Sequence, residues 1–223
     1  MALRVEKGTP IPVTAPAPAA PKRVASPKVK APKKARRGPS FAPSAAAPVA
    51  AQPILLAINQ TFQEQSQWCW SACTVMVLGL YYPTNPVSQC ELAGWLSGNS
   101  CCAVPGSSLC NIPCPAEPSS QSDTAYVGGV FIRHFVQCQT YRGPINGDAL
   151  VNELRSGRPV GLGLRLWNSA SHMILVRGYS SDTGYFQVND PWYGPGSSTF
   201  ENLVNGYGGG GAWIYTFMNL QRT

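Results

Sequence analysis

Every lysine of this chain lies before residue 54, and every aromatic residue except Phe41 lies after it. A hydrophobic core needs large apolar side chains, so this division decides which part of the chain can build one. Residues 1–53 hold ten of the 17 Lys and Arg, a single acid (Glu6), eleven Pro and fourteen Ala. Recurrent proline blocks helix and removes ladder donors. The few large apolar groups cannot offset the entropy of ordering the chain. A disordered basic Pro/Ala-rich tail with polyproline-II character is expected over 1–53. Residues 54–223 carry seven Arg, no Lys and nine acids, a balance of −2, so the chain's net charge of +7 comes from the tail, which alone carries +9. Their length suits one domain with its own core.

The tail's basic clusters, Lys28–Lys30 and Lys33–Arg37, fall within residues 22–37. Clustered cations release counterions on a polyanion or anionic surface, so weak binding of that kind is one reading. An export signal and a plain spacer are the others. No aromatic is interleaved with the cations, which argues against sequence-specific nucleic-acid recognition. Residues 1–20 lack a continuous apolar run, and four prolines interrupt the uncharged stretch 38–63. Neither a convincing signal peptide nor a membrane span is expected.

Eight cysteines argue for an oxidising compartment nonetheless. Cys73, Cys90, Cys101, Cys102, Cys110 and Cys114 crowd a stretch rich in Ser, Pro and Gly, where disulfides would replace a missing core. Three bridges are expected among these six, with vicinal Cys101 and Cys102 reaching different partners. Zinc on Cys101, Cys110 and Cys114 is the rival reading, without a CxxC pair to support it; the expectation is no metal and no cofactor. Cys138, within FVQCQ, reads as a buried free thiol. A secreted or periplasmic protein, or one delivered to a host cell, follows.

Periodicity places helices first and strands later. Residues 68–82 (WCWSACTVMVLGLYY) are apolar almost all round, predicting a buried helix that Pro83 and Pro86 stop. A second helix is expected over about 86–97, and a cysteine-rich loop over 98–122. A strand is expected over 134–141, and a helix over 147–156 capped by Asn146. Strands follow at 159–166, 172–179, 185–189 and 212–218. This is an α+β chain: a helical subdomain at about 64–125 against an antiparallel β subdomain at about 126–223.

Cys69 stands apart from the cysteine cluster, at a helix start whose unpaired N–H groups favour negative charge. His172 opens the strand HMILVRGY, and Asp190 closes the next one, YFQVND. Antiparallel neighbours bring the start of one strand beside the end of the next. Asp190 should therefore reach His172 and orient its ring. Gln63, six residues before Cys69, could donate to an oxyanion together with the Cys69 backbone N–H. His134 is expected to be structural or at the surface. The plainer readings are that Cys69 is one more bridge half, that His172 is structural, that Asp190 is a turn residue before Pro191, and that Gln63 belongs to a polar loop with Gln65 and Gln67.

The segment QEQSQWCWSAC (63–73), followed by HMILVRGY and VNDPW, resembles the papain-like cysteine peptidases in residue type and order. It is most similar to a short bacterial branch that includes a plant-pathogen avirulence effector protease and peptidases that process bacteriocin leaders. The resemblance spans about 54–220. It implies a papain-like fold and a Cys69–His172–Asp190 triad that hydrolyses peptide bonds in a protein or peptide substrate. It further implies Gln63 in the oxyanion hole, and a substrate cleft bordered by Trp68, Trp70 and Trp192, with Trp192 shielding the His–Asp bond. Papain's CGSCW signature is absent, the third member is Asp in place of Asn, and the 103-residue Cys-to-His separation implies trimmed subdomains. A monomer without an inhibitory helical propeptide is expected. Two alternatives share these residues: an acyltransferase of transglutaminase type, and a non-catalytic disulfide-stapled binding domain with a polyanion-binding tail.

Overall fold

A computed structural model describes residues 52–113, 115–119, 125–166 and 170–223. The expected disordered tail and the pairing of Cys114 lie outside the described residues. After the short strand β1 (Ile54–Leu55) comes α1 (Cys69–Tyr81), eight of whose 13 residues are buried. Its apolar circumference requires that burial. Helix α2 (Gln89–Ser97) opens on a capping box. The Ser88 hydroxyl accepts from the Glu91 N–H, and the Glu91 carboxylate accepts from the Ser88 N–H at 2.7 Å. Gly98, at φ 70°, closes the helix in the left-handed region.

Then follow α3 (Val127–Arg133), β2 (Val136–Arg142) and α4 (Gly147–Arg155), whose cap Asn146 accepts from the Ala149 N–H at 2.8 Å. The chain continues through β3 (Val160–Arg165), β4 (Ser171–Ser180), β5 (Tyr185–Asp190) and β6 (Gly194–Thr199). It ends with α5 (Phe200–Asn205), α6 (Tyr207–Gly210) and β7 (Ala212–Arg222). The strands form one antiparallel sheet in the order β2-β7-β3-β4-β5-β6, with β1 pairing β4 at Ile54↔Tyr179 and Leu55↔Gly178.

Strand β4 is covered on both faces, which explains its uninterrupted apolar run. Met173 and Leu175 join the cluster of α1, α2 and α3, whereas Ile174 and Val176 join the cluster of α4 and Leu203 on the other face. Helix α1 rests directly on β4, where the Cys73 thiol lies 3.5 Å from the Met173 carbonyl oxygen.

Several expectations require correction. Helix α3 was hidden by Gly128 and Gly129, which lower helix propensity. The packing demands the first of them, since a Cβ there would lie 2.6 Å from Tyr126 Cε2 and 2.9 Å from Thr140 Oγ1. The strand expected from His134 therefore begins at Val136, after the helix cap. Strand β6 (GPGSST) has no apolar alternation because it is an edge strand, where Pro and Gly are tolerated. Cys73 is not a bridge half: it is a free thiol at 0% exposure inside α1, and burial pushes its pKa up. The described disulfides are Cys90–Cys102 and Cys101–Cys110, so the vicinal pair does diverge to different partners. Bonded to one another, Cys101 and Cys110 cannot serve as zinc thiolates. Cys138 is free and half-buried, its thiol pushed up to about 12 by burial.

Candidate active site

Helix α1 begins at Cys69, with Trp68 as a cap that offers no side-chain acceptor. The first N–H groups of the helix therefore keep no intrahelical partner where the Cys69 sulfur emerges. Cys69 borders a cleft of about 290 Å³ between this helix end, the residues Pro113, Pro115 and Ala116, and strands β3, β4 and β7. Leu164, Ile214 and Tyr215 give the cleft an apolar wall.

His172 enters from the second residue of β4 and is only 7% exposed. Its Nε2 lies 2.9 Å from Asp190 Oδ1, and its ring lines the same cleft as Cys69. With Nε2 committed to the carboxylate, Nδ1 is the nitrogen left for the sulfur. Burial alone would depress the imidazole. The hydrogen bond to Asp190, its negative charge and the influence of Cys69 overcome it and hold the pKa up at about 9.

Asp190, the last residue of β5, is fully buried. Its Oδ1 also accepts from the backbone N–H groups of Trp192 (2.7 Å) and Tyr193 (3.1 Å), and its Oδ2 accepts from the Tyr207 hydroxyl at 3.0 Å. Burial pushes this carboxyl up, but His172 and the two backbone donors outweigh it and leave the pKa below the usual carboxylate range. The Asp190 carbonyl oxygen in turn accepts from Gln60 Nε2 at 2.8 Å.

The structure thus brings Cys69, His172 and Asp190 together, and Trp70 lines the same cleft. It does not bring Trp68 there. That indole is at 0% exposure and donates to the Cys110 carbonyl at 2.8 Å, so its assignment to the substrate cleft is corrected: it is a core anchor behind the nucleophile. Trp192 is 53% exposed and borders a separate shallow groove with Phe62 and Gln63. The Gln63 amide donates both hydrogens locally, to the carbonyls of Gln65 (2.9 Å) and Ser66 (3.0 Å). His134 caps α3, half-buried and remote from the cleft lining. Tyr207 escaped the sequence reading. Its only local signal is an aromatic set in the glycine run GYGGGG, and its bond to Asp190 spans separate elements. Among the described residues, no group of three or more His, Cys, Asp or Glu is placed to share a metal ion, and no helix is long and apolar enough to cross a membrane.

A sulfur at the head of a buried helix, met by an imidazole and a carboxylate from an antiparallel sheet, is the layout of papain-like cysteine peptidases. The model of the Peptidase_C39 like family matches residues 55–210, and the chain belongs to that family of cysteine peptidases. Among solved structures it is similar to a double glycine motif protease from an AMS/PCAT transporter in complex with the leader peptide. That match has 16% identity and a TM-score of 0.43, covering 75% of this chain and 98% of that one. It is also similar to the peptidase domain of Streptococcus ComA, a bifunctional ABC transporter involved in quorum sensing. There the identity is 12% and the TM-score 0.48, covering 74% of this chain and 99% of that one. No curated protein matches the chain.

Proposed function

We propose that residues 54–223 hydrolyse peptide bonds through a Cys69 thioester, with His172 as acid and base and Asp190 as its orienting partner. The observation that supports this reading is that His172, whose Nε2 lies 2.9 Å from Asp190 Oδ1, lines the same cleft as Cys69. The Cys69 thiolate attacks the carbonyl carbon. The C–N bond breaks as imidazolium Nδ1 gives its proton to the leaving amine. Nδ1 then takes a proton from water, whose oxygen attacks the thioester carbon, and the C–S bond breaks to return the thiolate. Asp190 remains ionised throughout, fixing the ring's tautomer.

The backbone N–H of Cys69 is the oxyanion donor that needs no rearrangement. Gln63 becomes the second donor only if its hydrogen bonds to Gln65 and Ser66 open on substrate binding. The two disulfides among the described residues suit a secreted or periplasmic setting. The basic residues within 22–37 supply weak polyanion affinity, which salt-dependent retention on heparin would register and deletion of the tail would abolish.

The test is cleavage of a peptide library by the full chain and its Cys69→Ala variant, together with iodoacetamide labelling near pH 6.5. Wild type is expected to label at Cys69 and cleave, while the variant loses several orders of magnitude in rate. A variant that cleaves as fast as wild type would end the proposal. A product carrying an added amine in place of free acid would redirect it to acyl transfer.

A further inference from the structure

The three residues immediately before Cys69 are all held by one turn of the cysteine-rich loop. The Ser66 hydroxyl accepts from Asn111 Nδ2 at 2.9 Å. The Gln67 N–H donates to Asn111 Oδ1 at 3.0 Å. The Trp68 indole donates to the Cys110 carbonyl at 2.8 Å, in a fully buried bond. Gln67 itself lines the cleft beside Cys69.

Nothing regular holds this turn in place. Residues 98–113 contain neither helix nor strand. The Cys101–Cys110 disulfide fixes it from within, with both sulfur-bearing residues at 1% exposure or less. The Cys90–Cys102 disulfide moors its other end to α2. A segment with so little secondary structure stays ordered chiefly because its cross-links remove alternative conformations.

We infer that the disulfide-closed turn Cys101–Asn111 is a positioning device for the nucleophile segment, with Asn111 as its contact residue. The peptidase would then combine a reduced Cys69 with an oxidised Cys101–Cys110 pair, and reduction of that pair would switch it off. The inference rests on the proposed role of Cys69 and adds a redox requirement to it. Reduction by dithiothreitol breaks the Cys101–Cys110 bond and delivers two electrons and two protons to give two thiols, while the reagent closes to its cyclic disulfide. Freed from the bond, the turn no longer fixes the Cys110 carbonyl and the Asn111 amide. Residues 66–68, and with them the sulfur and first N–H of α1, then lose their alignment. Misplacement of that kind lowers turnover by about tenfold to 10²-fold.

The experiment uses the full chain with both disulfides intact. Peptide cleavage and iodoacetamide labelling of Cys69 are followed as dithiothreitol is raised, with the open bridges counted by intact mass. Activity is expected to fall over the range in which Cys101–Cys110 opens, and to return on reoxidation. In parallel, Asn111→Ala with both bridges closed is expected to lower kcat about tenfold while KM changes less than threefold. Asn111→Asp keeps the acceptor for the Gln67 N–H and should recover most of that loss. An enzyme that stays fully active with Cys101–Cys110 open would overturn the inference, as would an Asn111→Ala variant with wild-type kcat. Wild type that neither cleaves nor labels at Cys69 would instead sink the peptidase reading beneath it.

Discussion

Replacing Tyr207 by Phe removes one hydroxyl and leaves the rest of the ring to pack as before. Among the described residues, the other donors to the Asp190 carboxylate, from His172, Trp192 and Tyr193, all address Oδ1. Tyr207 alone reaches Oδ2, at 3.0 Å. The substitution therefore strips a buried, ionised oxygen of its protein donor. A hydrogen bond to a charged group contributes about 1.5–3 kcal/mol. Tyr207 is half-buried, so water can recover part of the loss, and about 1.5 kcal/mol is the expected stability decrease at pH 7.

The same bond favours the ionised carboxylate, so its loss should raise the Asp190 pKa. The groups facing Asp190 are His172 from β4, Cys73 from α1, and Tyr193 and Tyr207 from the chain that follows it. Of these only His172 carries positive charge, and it loses its orienting partner once Asp190 is protonated. The acid limb of kcat/KM should move upward in pH, with kcat on the plateau falling about tenfold or less. The stability difference should fade as pH drops through the wild-type Asp190 pKa, because the protonated carboxyl no longer needs the donor. Rate profiles from pH 4 to 8 and urea titrations at both ends measure these effects. An acid limb that superimposes on wild type would refute the reasoning, whatever the stability.

Other outcomes follow from the same geometry. The His172 pKa is raised to about 9, so its contribution to stability is complete below about 6.5 and lost as pH rises through about 9. Urea midpoints should fall across that window in wild type and stay flatter in His172→Phe. The Glu153 carboxylate, 6% exposed, accepts from Arg158 Nε (2.9 Å) and Nη2 (2.7 Å) and from the Asn219 N–H (2.9 Å). Glu153→Gln should cost about 3 kcal/mol by urea denaturation and leave kcat unchanged. A Cβ on Gly178 would lie 2.6 Å from the Ile54 carbonyl oxygen, so Gly178→Ala should displace β1 and lower stability by about 1–3 kcal/mol.

Local pattern made much of the architecture legible. The apolar circumference of residues 69–81 can only belong to a buried helix, and Asn146 supplies a cap just where α4 begins. The apolar strand HMILVRGY, followed by a short turn and YFQVND, encodes a hairpin. Pairing Leu175 with Asn189 is what lets His172 and Asp190 approach. These signals rest on neighbours two to four residues apart, and the chain carries them wherever it goes.

Other features have no local signature. Whether Cys73 bonds or stays free depends on α1 lying against β4, not on its distance in sequence from Cys90. Trp68 and Trp70 look alike in the sequence, yet the turn at Cys110 buries one behind the helix while the other borders the cleft. Tyr207 meets Asp190 only because the chain returns past β5 on its way to β7. The sequence by itself determined where a core could form, which segments coil or extend, and which residue types could do the chemistry. Tertiary structure alone decided which cysteines share electrons and which donors reach Asp190, because those choices depend on distances between segments that no local propensity sets.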